Sequence, residues 1–314
     1  MTGADHDRAV QDALSGVGAL AQVATTPTGT AAAKAANAAL TLLLCSTRPS
    51  PVAGAQEAAL RDLREAVAAL SGEDAGTAPT DAPAPLPRGI LIAFEGIDGS
   101  GKSTQLRRVA DALGSAGLPV TRTREPTNGV YGARLRRSAS EGRFPVEDEF
   151  AVFLADRAEH VVSCIQPSLE AGHVVLVDRY YLSSVAYQGA RGMDPSEVLR
   201  MDEAFAPRPD LVVLLDVPAR VGLARARSRD ARQNYFEQAG ELVRAREIYI
   251  HTGPASGSVM IIDGQIDPAQ ITGKIIDAIF NGPLLNALDG DVGKVAEMRE
   301  RLEHFTLVQS GGVR

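Results

Sequence analysis

Short apolar runs alternate with longer segments of helical spacing from Gly89 onward. Ile90 to Phe94, Val120 to Arg124, His173 to Val177, Leu211 to Asp216 and Val259 to Ile262 have the length and β-branched content of buried strands. Between them, Leu106, Val109, Ala110 and Leu113 recur at helical intervals, as do Phe150, Phe153, Leu154, Ala158, Val161, Val162 and Ile165. The second set predicts one long helix over Val146 to Glu170, kinked at Pro167. Further helices are expected over Pro195 to Phe205, from Ala219, through Tyr249, and over Pro268 to Phe280. Such alternation predicts an α/β fold, a five-stranded parallel sheet flanked by helices on both faces.

The pattern changes outside this block. Residues 1–71 are alanine-rich and predict a small α-helical region, with a segment whose Ala59, Leu63, Val67 and Leu70 share one face. Residues 72–88 carry Pro79, Pro83, Pro85 and Pro87 and predict an extended linker. Residues 89–281 form the expected α/β domain, and 282–314 a helical extension in which Val295, Met298 and Leu302 are the apolar positions.

Of the 314 residues, 45% are hydrophobic, enough for a sizeable core, and the net charge is −7. A chain of that sign does not suit a nucleic-acid surface, so an anionic ligand has to be held by local arginines. Cys45 and Cys164 are too few for a disulfide framework. The first residues lack a signal-peptide pattern, and the most apolar stretch is too short for a membrane span. A cytoplasmic protein with no membrane partner is the expectation.

The first apolar run ends in Gly96, and Gly101, Lys102 and Ser103 open the next helical segment. This G-x-x-x-x-G-K-S spacing between a strand and a helix is a phosphate-binding loop. Glycines 96, 99 and 101 let backbone N–H groups turn inward around a phosphate, with Ser100 and Thr104 in the same cradle. Lys102 brings a cation to the outer phosphates and the Ser103 hydroxyl a ligand for Mg²⁺. Asp98 sits among those phosphates, a place where a carboxylate has to serve a metal or a sugar hydroxyl. At another strand end, Asp178 and Arg179 couple an acceptor suited to Mg²⁺ with a fork suited to phosphate. Phe153 and Arg157 lie four apart on one helix face, so a ring and a guanidinium can address one ligand. Arg225, Arg227, Arg229 and Arg232 taken alone are a solvated face; beside a phosphate loop they suit a closing lid.

Five segments, Phe94 to Gln105, Thr123-Arg124-Glu125-Pro126, Phe153 to Arg157, Asp178-Arg179-Tyr180 and Ser184 to Gln188, make the sequence resemble the thymidylate kinases of bacterial type. The resemblance covers Gly89 to about Asn281 and implies a P-loop kinase fold that transfers the γ-phosphoryl of ATP to dTMP with Mg²⁺, in a homodimer. It assigns Asp98 to the 3′-hydroxyl and phosphoryl region, and Arg136 and Arg179 to the acceptor phosphate. Phe153 is assigned to stack on the pyrimidine, with Glu125, Arg157, Ser184 and Gln188 at the acceptor and Tyr187 where a ribose 2′-hydroxyl would sit. Because the loop lacks a basic residue between its glycines, Arg225, Arg229 or Arg232 is expected to act from the lid. Two departures stand out: Thr127-Asn128 replaces the usual glycine pair after Arg-Glu-Pro, and the lid ends in Gln233-Asn234-Tyr235-Phe236-Glu237. The first leaves room for dUMP or a 5-modified deoxypyrimidine monophosphate as acceptor. A non-catalytic nucleotide-binding scaffold is the reading from another class, and the intact Lys102, Ser103, Asp98, Asp178 and Arg179 speak against it.

Overall fold

The computed structural model describes residues 85–227, 235–253 and 258–311. Five strands, β1 (Ile90–Glu95), β2 (Val120–Arg124), β3 (Val174–Asp178), β4 (Leu211–Asp216) and β5 (Val259–Asp263), form one sheet in the order β2-β3-β1-β4-β5. Every pairing is parallel, with Ile90 opposite Val174 and Ile92 opposite Leu211 at its centre. This is the predicted five-stranded parallel sheet of a P-loop kinase fold.

Strand residues alternate between two cores, as their period of two requires. Leu91, Ala93, Val175, Val177, Val212 and Leu214 face one core. There they meet α3 (Val146–His160), α5 (Tyr181–Ala190), α6 (Pro195–Glu203) and α8 (Tyr235–Thr252). Ile90, Ile92, Phe94, Val174, Leu176, Val213 and Leu215 face the other. That core is closed by α1 (Lys102–Ser115), α9 (Pro268–Asn281), α10 (Pro283–Ala287) and α11 (Val292–Gly311). The C-terminal extension therefore packs on the kinase core, with Leu284 and Val295 buried. Leu86, within the proline-rich stretch, is also buried there and donates its N–H to Gly172 at 3.0 Å.

The long helix expected over Val146 to Glu170 is interrupted earlier than Pro167. Its α-helical part, α3, ends at His160, a wider π-type turn spans Val161–Ile165, and α4 (Gln166–Glu170) follows. Proline has no N–H to give and its ring crowds the carbonyl four residues back, so the preceding turn widens. Two helices had no legible pattern: α2 (Val130–Glu141), whose sequence is mostly polar, and α5, a ten-residue stretch interrupted by Ser183, Ser184, Gln188 and Gly189. Between β4 and α8 lies α7 (Ala219–Arg227). The alanine-rich residues 1–71 lie outside the described residues, as does most of the lid.

Candidate active site

The carboxyl ends of β1, β2 and β3 carry the predicted chemistry, as an open parallel sheet dictates. Gly101 precedes α1 with φ 103°, a left-handed conformation that suits glycine, and no side chain caps the helix. The Thr104 N–H donates to the Gly101 carbonyl at 3.1 Å, and the N–H groups of Lys102 and Ser103 before it are left for an anion. Gly99 sits so close to α7 that a Cβ there would lie 2.1 Å from the Gly222 carbonyl oxygen. The Ser100 hydroxyl is buried in this cradle without a protein partner, a donor set for a phosphate oxygen.

Lys102 is almost fully buried, and its Nζ donates to the carbonyls of Gly96 at 3.0 Å and Ile97 at 2.9 Å. Burial, and then the nearby charge of Arg179, bring its ammonium from 10.5 down to about 8. The Ser103 hydroxyl donates to the Asp178 carboxylate, so the two oxygens proposed for Mg²⁺ are already side by side. Among the described residues no group of three or more His, Cys, Asp or Glu side chains is placed to hold a metal.

Arg179 opens the loop after β3 with φ 69°, outside the usual range for a non-glycine residue, and its N–H donates to Phe94 at 3.0 Å. Its Nη2 reaches Asp98 at 2.6 Å and the Tyr187 hydroxyl at 3.3 Å, while the guanidinium lies 5.1 Å over the Tyr187 ring. The Arg179 charge holds the Asp98 carboxyl below its usual range. A residue that sequence reasoning missed fixes this turn. Glu95, fully buried at the end of β1, accepts from Tyr180 N at 2.8 Å, Ser183 N at 3.1 Å, Ser183 Oγ at 2.6 Å and Tyr249 Oη at 2.9 Å. A charged residue closing a wholly apolar strand was the available signal.

The residues assigned to the acceptor base are packed together beside this turn. Arg157 is 1% exposed; its Nε and Nη2 meet Glu125 at 2.9 and 2.6 Å, Nη1 meets Asp202, and Nη2 donates to Ser184 at 3.2 Å. Burial pushes the Asp202 carboxyl up while Arg157 opposes it. Glu125 also takes the His160 Nδ1 at 3.0 Å. Gln188, 1% exposed, donates from Nε2 to Glu149 at 3.1 Å, and its Oε1 has no protein partner. Phe153 is half-buried on α3, one turn before Arg157. Asp202, His160 and Glu149 went unnoticed in the sequence because each works through a partner more than thirty residues away.

A cavity of about 660 Å³ lies over the phosphate loop and the start of the Arg179 turn; Phe153, Arg157, Ser184 and Gln188 are not among its lining residues. Its wall includes Asp98, Lys102, Ser103, Asp178, Arg179 and Glu125, with Arg225 on the far side. Arg225 donates to the Gly264 carbonyl at 3.0 Å. The side chain of Arg227, and all of Arg229 and Arg232, lie outside the described residues. Arg136, on α2, is exposed and rests its Nη1 on the carbonyls of Pro126 at 3.1 Å and Thr127 at 2.5 Å.

A family model described as Thymidylate kinase matches residues 94–275. A thymidylate kinase of Xanthomonas oryzae pv. oryzae (strain PXO99A) is 43% identical over 205 residues, 65% of this chain and 88% of that protein. One of Xanthomonas euvesicatoria pv. vesicatoria (strain 85-10) is 50% identical over 205 residues, 65% of this chain and 89% of its own length. One of Xylella fastidiosa (strain M12) is 48% identical over 165 residues, 52% of this chain and 76% of its own length. Matched over more than half its length on a P-loop fold with its phosphate cradle in place, the chain belongs to the thymidylate kinase family and is a nucleoside monophosphate kinase.

Proposed function

We propose that the chain transfers the γ-phosphoryl group of ATP to the 5′-phosphate of dTMP, giving dTDP and ADP. The observation that carries this reading is the shared cavity, lined both by Lys102 with its amide cradle and by Arg179 with Asp98. In-line phosphoryl transfer needs mainly positioning and charge neutralisation, and both are supplied by fixed groups here.

Lys102, Ser100 and the first-turn amides of α1 bind the outer phosphates of the donor. Ser103 and Asp178 would hold Mg²⁺, which when bound would neutralise phosphate charge. Arg179 and Arg136 grip the acceptor phosphate, and Asp98 orients Arg179 and the sugar 3′-hydroxyl. Phe153 stacks on the base, Arg157, Ser184 and Gln188 read its polar edge, and Tyr187 disfavours a ribose. Arg225, Arg229 and Arg232 close from the lid onto the developing charge. A cytoplasmic homodimer is part of the same reading.

The test is ADP release from ATP and Mg²⁺ on adding dTMP, dUMP, dCMP or dAMP. The expected order places dTMP first. Absence of turnover with every pyrimidine monophosphate would end this reading, and faster turnover of dUMP would reassign the acceptor.

A further inference from the structure

The pair Thr127-Asn128 stands where the family's usual form has two glycines, and the structure gives both side chains partners. The Asp156 carboxylate accepts from Thr127 twice, from the backbone N–H at 2.8 Å and from Oγ1 at 2.6 Å. The same hydroxyl accepts from Gly129 N at 3.0 Å, so it ties the turn internally as well as to α3. Asn128 Oδ1 accepts from Arg124 Nη2 at 3.0 Å. Asp156 is fully buried, which makes it a fixed anchor. A glycine at 127 would keep the N–H bond and lose both hydroxyl bonds.

The carbonyl of Thr127 is the other half of the arrangement. Arg136 Nη1 donates to it at 2.5 Å and to the Pro126 carbonyl at 3.1 Å. Nη1 has two hydrogens, and both are committed to these carbonyls. What remains is the edge formed by Nε and Nη2, the pair that grips a carboxylate or phosphate bidentately. Among the described residues Arg136 makes no ion pair with a carboxylate, and its side chain is exposed, so this edge is open to an incoming anion. The turn cannot slide along α2 either, because at Gly132 even a Cβ would lie 2.0 Å from the Thr127 oxygen.

We infer that Thr127 is a positioning residue for the acceptor phosphate: its hydroxyl, anchored on Asp156, fixes the carbonyl that turns the bidentate edge of Arg136 outward. The inference rests on the functional reading above and adds to it a residue that touches no substrate. Replacing the threonine by valine keeps the shape, the N–H and the C=O but removes the hydroxyl. Threonine to serine keeps the hydroxyl.

The experiment compares full-length wild type, Thr127→Val, Thr127→Ser, Arg136→Ala and the double variant Thr127→Val/Arg136→Ala. Steady-state kinetics are measured with dTMP and ATP, and calorimetric binding with dTMP and with thymidine, which has no phosphate. Thr127→Val is expected to raise KM for dTMP by about tenfold, the worth of one hydrogen bond to an ionised group. It should leave KM for ATP and thymidine binding within about twofold, and Thr127→Ser should restore the dTMP value. On Arg136→Ala the valine substitution should add nothing, since its effect passes through that arginine. The inference is overturned if KM for dTMP and ATP rise together, if thymidine binding weakens as much as dTMP binding, or if the two substitutions act additively. A wild-type protein that neither binds nor phosphorylates dTMP would instead overturn the functional reading, and this inference with it.

Discussion

Asp98 and Arg179 meet at 2.6 Å on the wall of the phosphate cavity, and the Tyr187 hydroxyl lies 3.3 Å from each side chain. The cation proposed to hold the acceptor is therefore aimed by a carboxylate from the loop proposed to hold the donor. The Asp98 side chain is 59% exposed, so the pair contributes little to folding. Its value lies in orientation.

Asp98→Asn keeps the shape and a carbonyl acceptor but removes the charge. Thermal stability should change by less than about 1 kcal/mol. In contrast, kcat/KM for dTMP should fall by roughly a hundredfold, the scale of losing one preorganised charged group at a reacting phosphoryl. Kinetics that match wild type would remove Asp98 from the site.

Glu95 acts on the same arginine from below. Its four acceptor bonds hold the N–H groups of Tyr180 and Ser183, which follow the left-handed Arg179. Glu95→Gln places an NH₂ against donors, leaving at least one buried group unpaired. Unfolding in urea should show a loss of about 1–3 kcal/mol, with kcat reduced because Arg179 is no longer held. Lower stability with full turnover would show that the Arg179 turn does not depend on Glu95.

These two carboxylates also show how far a sequence carries such an argument. Asp98 was legible because the phosphate loop is local: strand, glycines, Lys102 and Ser103 lie within fourteen residues, and each spacing has a chemical reason. The five strands were legible for the same reason, since apolar runs of this length have few alternatives. Glu95 sits in the same motif, yet its role depends on Ser183 and Tyr249, which only the fold brings to it. Arg157 was singled out in the sequence by its position beside Phe153; that it is the centre of a buried network with Glu125 and Asp202 required the tertiary structure. The helix α2, which carries Arg136, was missed because its few apolar positions gave no period.

His160 predicts a pH dependence. It is buried against Glu125 and Thr123, and although burial alone would lower its pKa, hydrogen bonds to Cys164 and Glu125 outweigh this and raise it from 6.5 to about 9. A histidine whose pKa is higher in the fold than in the unfolded chain contributes fully below about 6.5 and loses that contribution as pH rises through 9. The melting temperature of wild type relative to His160→Asn should therefore narrow between pH 6.5 and 9.5. A difference that stays constant across this range would mean that the imidazole is neutral in the fold.

The C-terminal extension yields the last prediction, because it links stability to the phosphate-loop lysine. Leu284 is fully buried and Val295 nearly so, in the core that also holds Leu106, Val109 and Leu113 of α1. Lys102 is the first residue of that helix, so whatever steadies α1 steadies the ammonium. Leu284→Ala leaves a cavity in this core and should destabilise by about 2–5 kcal/mol. Val292→Ala, at a position 68% exposed in the same extension, should stay within about 0.5 kcal/mol of wild type. If urea unfolding gives the two variants equal midpoints, the extension is not part of the kinase core. If they differ as expected, removing residues 282–314 strips one face of α1 and α9, and turnover should fail at temperatures where the full chain still works.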